Sequence, residues 1–195
     1  GRESNDAFDV VRNDANGSYS YFAACARKAT DPRQVIKHDN AAGWVRLIGH
    51  ATSPDGVTWT PTEIVIESDH GHGDLWDEQF YGMQVFRYRG YWLGLLFTFH
   101  AESQVIQPEW AWSHNGVNWA RTRTPCAPLG DEGRFDSRMM LFGSIVVTAE
   151  EVVWLYSGYD WRHNAFKKGE VGSAIGRAVL QRKELDGWLD TLAAP

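Results

Sequence analysis

Between Glu78 and His100, two runs of aromatic, β-branched and long apolar residues flank the polar segment Arg87-Tyr88-Arg89-Gly90, the pattern of an antiparallel hairpin. The second run, residues 91–99, is apolar at nearly every position, so both of its faces should be covered and the strand should lie mid-sheet. Upstream, residues 7–11 and 18–27 read as two strands separated by Arg12-Asn13-Asp14-Ala15-Asn16-Gly17, whose Asn, Asp and Gly supply turn chemistry. Residues 44–52 alternate apolar and polar as a third strand would, Ser53-Pro54-Asp55-Gly56 turns the chain, and residues 63–67 make a short fourth strand.

That order recurs. Ser53-Pro54-Asp55-Gly56-Val57-Thr58-Trp59 returns as Ser113-His114-Asn115-Gly116-Val117-Asn118-Trp119, with serine, glycine, valine and tryptophan in the same relative places. Upstream of each turn lies a hairpin, and the first strands align as Phe8-Asp9-Val10-Val11, Phe80-Tyr81-Gly82-Met83 and Phe135-Asp136-Ser137-Arg138. In the third copy, residues 139–147 and 152–159 form the hairpin, Ile175-Gly176-Arg177-Ala178 starts the third strand, and Asp186-Gly187-Trp188 is expected as a degenerate turn. Three four-stranded units, about 7–67, 78–124 and 134–190, predict an all-β, β-propeller-like domain over residues 1–195 with almost no helix. Three blades leave a ring open. A longer chain, a second copy completing a homo-oligomer, or an open stack would each resolve this.

Composition narrows the partners. The chain has 195 residues, of which 43% are hydrophobic and ten are tryptophan, enough for a substantial core. A net charge of −6 without a basic block argues against nucleic acid. The longest apolar run is too short to span a bilayer and no signal-type segment opens the sequence, so a soluble protein without a membrane partner is expected. Cys25 and Cys126 show no metal-type spacing and could pair or stay reduced.

Ser53-x-Asp55-Gly56-x-x-Trp59, the segment Gln79-Phe80-Tyr81-Gly82-Met83 with the strand up to His100, and Ile175-Gly176-Arg177-Ala178-Val179-Leu180 together resemble the five-bladed propeller glycoside hydrolases of the arabinanase, xylosidase and invertase type. The likeness covers three consecutive C-terminal blades of such a ring. It implies a saccharide as partner and an axial site lined by carboxylates. It also implies that the blade that generally supplies the nucleophile or base carboxylate is not among the three.

In a propeller the innermost strands line the funnel, so Asp9, Tyr81 and Asp136, at matched positions, are expected to converge. Two carboxylates can divide the work of glycoside cleavage, at about 5–5.5 Å apart for retention and about 6.5–9.5 Å for inversion. Asp9, Asp136 and Glu78 are therefore the candidate catalytic groups, with Glu78 as general acid if Trp76 or Tyr81 walls it from water. The plain alternative has Asp9 and Asp136 satisfying strand-end amides or pairing with Arg12 and Arg138. Arg138, on the same strand face as Asp136, could hold a substrate hydroxyl or carboxylate. Trp76, Trp110 and Trp161, near loops, are candidate sugar-stacking residues, Tyr81 is a candidate substrate contact, and so are His100 and His163, each after the second strand of a blade. The loop Asp69-His70-Gly71-His72-Gly73-Asp74 carries ligand-type side chains for a divalent ion, but its glycines leave it unset and no third histidine is near; no cofactor is expected. The rival to an enzyme is a non-catalytic module that binds carbohydrate or protein.

Overall fold

The computed structural model describes residues 2–14, 16–164 and 172–193. Strands β1 (Arg2–Arg12), β2 (Tyr19–Lys28), β3 (Trp44–Ser53) and β4 (Glu63–Ile66) form one antiparallel sheet in sequential order. The second blade is β5 (Glu78–Tyr88), β6 (Tyr91–His100), β7 (Val105–Ser113) and β8 (Ala120–Pro125). The third is β9 (Met139–Val147), β10 (Glu151–Tyr159) and β11 (Ser173–Gln181), followed by helix α1 (Arg182–Ala193). One parallel bridge, Ile106 to Met139, joins the second and third blades into a seven-stranded sheet. The arrangement is an incomplete propeller of three blades. No helix among the described residues is long and apolar enough to cross a membrane.

The hairpin at the centre forms as its sequence predicts. Tyr88 pairs with Tyr91 across Arg89 and Gly90, which both take positive φ (48° and 84°), the conformation of a type I′ turn. Every residue of β6 from Tyr91 to Phe99 is buried because the strand is clad on both faces. Leu96 packs with Phe80, Met83, Phe22 and Ile48 in a core shared with the first blade. Leu95, Phe97 and Phe99 point the other way, into a core with Met139, Met140, Trp154 and Tyr156 of the third blade. A blade with two apolar faces has to be sandwiched, and this one is.

The repeated turn closes the same way twice. Ser53 Oγ accepts from Gly56 N (2.8 Å), and Asp55 Oδ1 accepts from Val57 N (2.8 Å) and Thr58 N (2.7 Å). Ser113 Oγ accepts from Gly116 N (2.9 Å), and Asn115 Oδ1 accepts from Val117 N and Asn118 N (2.9 Å each). Gly56 and Gly116 hold φ of 77° and 76°. An uncharged Asn does at one turn what a carboxylate does at the other. The two amides lower the Asp55 pKa to about 2, so its contribution to stability is present above the unfolded value near 3.8 and fades as pH falls towards 2. Asp55→Asn should therefore leave the melting temperature at pH 7 nearly unchanged and reduce the loss of stability between pH 4 and pH 2. An identical acid limb for the two proteins in pH-dependent thermal melts would rule this out.

Three expectations are corrected. Phe135-Asp136-Ser137-Arg138 is not a strand but a turn, with Arg134 N bonded to Asp131 O and Ser137 N to Arg134 O, and β9 starts at Met139. Asp186-Gly187-Trp188 lies inside α1 rather than in a turn, so the third blade has three strands and a helix. Leu185 and Leu189 are buried, Trp188 and Leu192 pack beside them, and together they cover Tyr91, Leu93 and Val152 at helical spacing. The third strand, expected to alternate, is buried at almost every residue of β3 because it lies against β5 as well as in its own sheet.

Candidate functional site

Antiparallel pairing gathers the start of β5, the ends of β2, β6 and β10, and the starts of β3 and β9 at one end of the molecule, here the upper end. Successive residues of β5 face opposite sides of its blade, and the first two each meet a buried arginine there.

Gln79 meets Arg46. The Gln79 Oε1 accepts from Arg46 N (3.1 Å) and Nη1 (3.0 Å), while Arg46 donates to both oxygens of Asp39 (2.6 and 2.9 Å) and to Asn40 Oδ1 (2.7 Å). The side chains of Arg46 and Asp39 are 9% and 1% exposed. Burial pushes the Asp39 pKa up, but the Arg46 bonds outweigh it and hold the carboxyl below its usual value. The guanidinium also lies over the Phe99 ring (4.8 Å) and the Tyr81 ring (5.8 Å). From the third blade, His163 Nε2 bonds the Tyr81 hydroxyl (2.9 Å), its ring stands edge-on to Tyr81 and Phe99, and Asn164 Nδ2 donates to the His38 carbonyl (3.0 Å). Tyr81, Tyr159, Trp161 and His163 are half-buried, and Tyr159 and Trp161 stand edge to face at 5.0 Å. Three blades thus contribute to one polar and aromatic constellation at the upper end.

Glu78 meets Arg121. Arg121 donates to Glu78 Oε1 (2.9 Å), Glu109 Oε1 (2.6 Å) and Asp74 Oδ2 (2.8 Å), with its guanidinium 4.3 Å from the Phe80 ring, and Arg123 also pairs with Asp74. Burial, opposed by Arg121, raises the Glu109 pKa, and the carboxylates of Glu78 and Asp74 add to the rise. A cavity of about 170 Å³ opens beside this cluster.

The sequence-derived candidates separate. Asp9 Oδ2 accepts from Val85 N (2.7 Å), seven residues along β5 from Glu78, which places the two carboxylates about 20 Å apart at ~3.3 Å per residue. Asp9 straps the first blade to the second, and burial raises its pKa against the amide bonds of Val85 and Val10. Asp136 accepts from the Tyr156 hydroxyl (2.6 Å) on the third-blade side of the sheet, opposite Glu78. Three expected catalytic carboxylates therefore occupy three places, and Asp9 does not converge with Tyr81 and Asp136. Bulges account for part of this: β1 shifts register between Glu3 and Phe8 and β5 between Phe80 and Gly82, so equal sequence position does not give equal facing. The pairs Asp9 with Arg12 and Asp136 with Arg138 do not form either, since Arg12 pairs with Asp14 and Arg138 with Glu132. Tyr81 and His163 do meet. His100 lines the Glu78 cavity, and Trp76 stands 40% exposed on the loop before β5.

The loop Asp69-His70-Gly71-His72-Gly73-Asp74 turns its ligand-type groups apart: His72 Nδ1 pairs with Asp69, His70 bonds Gln34, and Asp74 takes both arginines. Among the described residues, no group of three or more His, Cys, Asp or Glu is arranged around a common point for a metal ion. Cys25, buried, and Cys126 are not joined by a disulfide.

Arg46, Asp39, Gln79, Glu109 and Arg121 escaped the sequence reading. The signal was there for two of them: Arg46 stands within Val45-Arg46-Leu47-Ile48 and Glu109 within Pro108-Glu109-Trp110-Ala111-Trp112, and a charge inside an apolar strand requires a buried partner.

This architecture is that of a β-propeller, present here as three blades of an incomplete ring. No protein-family profile and no curated protein matches the chain. Among solved structures it is similar to the β-1,2-mannobiose phosphorylase of Listeria innocua (TM-score 0.67, 14% identity, covering 96% of this chain and 48% of that one). It is also similar to a family 117 glycoside hydrolase of Zobellia galactanivorans (0.63, 14%, 91% and 58%) and to an N-acetylgalactosamine deacetylase from F. plautii (0.58, 14%, 88% and 49%). The chain spans about half the length of these structures, and at such identities the likeness is one of fold.

Proposed function

We propose that this chain binds a saccharide at the upper end, on the half-buried surface of Tyr81, Tyr159, Trp161 and His163. The observation that carries it is the meeting of side chains from three blades around Tyr81. Sugars present apolar ring faces and clusters of hydroxyls. Aromatic side chains take the first, and the Tyr81 hydroxyl and the His163 imidazole, oriented by each other, take the second. Arg46 and Asp39 lie beneath and lock Tyr81 and Phe99 in place, which pre-organises the surface. The fold's occurrence in proteins named for acting on glycosides, among them the mannobiose phosphorylase and the family 117 hydrolase, supports the substrate class.

Binding rather than cleavage is the function this geometry favours, because cleavage needs two carboxylates at one sugar, whereas Asp9, Glu78 and Asp136 lie in three separate places and Asp39, beneath the aromatic cluster, is bound by Arg46. Calorimetric titration with β-1,2-mannobiose and with arabino-oligosaccharides tests this. Trp161→Ala should weaken the best ligand by at least about tenfold, the equivalent of ~1.4 kcal/mol, with the melting temperature little changed. Equal affinities for variant and wild type would remove the surface from the account. Turnover of an aryl glycoside that disappears in Asp136→Asn would replace binding by hydrolysis.

A further inference from the structure

The two outermost blades each turn apolar side chains outward, Phe8 and Val10 on the first, Val146, Leu155 and Val179 on the third. The junction between the first and second blades shows how such faces pack. Trp119, the tryptophan of the repeated turn, lies over Gly94 of its own blade and meets Phe22, from the middle of the preceding blade, edge to face at 5.6 Å. Phe22 is wholly buried there. Trp59 is the same residue of the first blade: Ser53 pairs with Tyr19 as Ser113 pairs with Trp92, so Tyr21 stands where Gly94 does. Trp59 lies against Tyr21 (5.8 Å), but where Trp119 has Phe22 before it, Trp59 has a groove of about 370 Å³, lined also by Ala51 and Pro61.

The third blade carries the matching knob. Trp154 and Tyr156 of β10 point into the core shared with the second blade, so Leu155 between them points out, with Val146 and Val179 on the flanking strands. Leu155 is the fourth residue after Glu151, which closes its hairpin turn, as Leu95 is the fourth after Tyr91. Leu95 in turn stands three residues after Trp92, as Phe22 stands three after Tyr19. Phe22 and Leu95 are buried against the next blade, whereas Leu155 is 39% exposed. We propose that the outer face of the third blade docks on the outer face of the first blade of a second copy, with Leu155 entering the groove at Trp59, so that two copies close one ring. The occupant is a second copy because one chain carries both halves of the contact, on its two outermost blades. The blade count agrees: propellers close with about four to eight blades, and two copies supply six. A two-fold ring makes both contacts at once and leaves no outer face for further growth. Arg177, beside Leu155 on that face, already pairs with Glu151, so docking strands no cation. None of this depends on the saccharide reading.

The test is sedimentation velocity of the chain between about 1 and 100 μM. The wild type should sediment as a dimer of about 44 kDa, twice the 22.1 kDa of one chain. Leu155→Lys and Trp59→Glu should each give a folded monomer, with the dissociation constant raised at least about a hundredfold. Mixed in equal amounts, the two variants should dimerise again, because one junction keeps Leu155 with Trp59 and the other sets the new lysine against the new glutamate. A dimer built through one blade face alone would fail that mixing. Where circular dichroism shows either variant unfolded, Val179→Lys and Phe8→Glu, on the same two faces, replace the pair. The inference is overturned if the wild type is monomeric throughout this range or forms a ladder of larger species, if the folded variants stay dimeric, or if their mixture stays monomeric.

Discussion

Arg121→Met lowers the stability of the fold at pH 7 by about 3–5 kcal/mol or more, the cost of leaving a buried charge without its partner. The expectation follows from what the guanidinium holds: Asp74, Glu78 and Glu109, with side chains 0%, 10% and 4% exposed. Arg123 still reaches Asp74, but Glu78 and Glu109 keep no cation. At ~2–4 °C per kcal/mol for a chain of this size, the melting temperature falls by about 10 °C. The pH dependence identifies the cause. In the wild type the arginines hold the Asp74 pKa below its usual value, burial notwithstanding, so its contribution is present above the unfolded value and lost as pH falls. In the variant, burial of Glu109 is no longer opposed by the guanidinium and its carboxyl pKa rises further, so protonation relieves the defect and the gap to wild type narrows as pH drops from 7 towards 5. A gap that is constant over that interval would mean the arginine acts through packing on Phe80 rather than through charge.

Gly143→Ala is the second large effect. A Cβ at Gly143 would overlap the carbonyl oxygen of Leu155, which is backbone of the neighbouring strand and cannot rotate aside. The site is beside a bulge: Gly143 pairs with Tyr156 and Leu141 with Ser157, leaving Phe142 as the extra residue. Phe142 fills the space above Gly82 and packs on Phe97 at 4.6 Å, and the Gly143 carbonyl accepts from Gln84 Nε2 (2.6 Å). Prising β9 from β10 disturbs all of these. The cost is expected at or above the ~3 kcal/mol upper range of overpacking, read as a fall of about 10 °C in melting temperature. A variant that melts within a degree or two of wild type would contradict the close packing of the two strands.

Local patterns were the legible part of this protein. The hairpin of β5 and β6 could be read because Gly90 supplies the positive φ and because residues 91–99 are apolar on both faces. The paired turns at Asp55 and Asn115 could be read because serine, glycine and tryptophan recur at fixed spacing and make the same bonds. The same repetition misled at the C-terminus: Leu185, Trp188, Leu189 and Leu192 have helical spacing, yet alignment with the earlier turns made Asp186-Gly187-Trp188 look like a third copy. The site was legible only in pieces. Tyr81 and His163 could be singled out by position, but their contact is made across 82 residues of chain, and nothing local encodes it. Asp9 failed to join them because it is held at Val85, towards the far end of β5, with register shifts in β1 and β5 adding to the offset.

The central claim, that side chains from three blades form a saccharide-binding surface at the upper end, is tested most directly by a crystal structure of the protein with a bound neutral oligosaccharide such as β-1,2-mannobiose. The account predicts a sugar ring stacked on Trp161 or Tyr159, with a hydroxyl within hydrogen-bonding distance of Tyr81 Oη or His163. A sugar bound at another face of the molecule while this surface stays bare would contradict it.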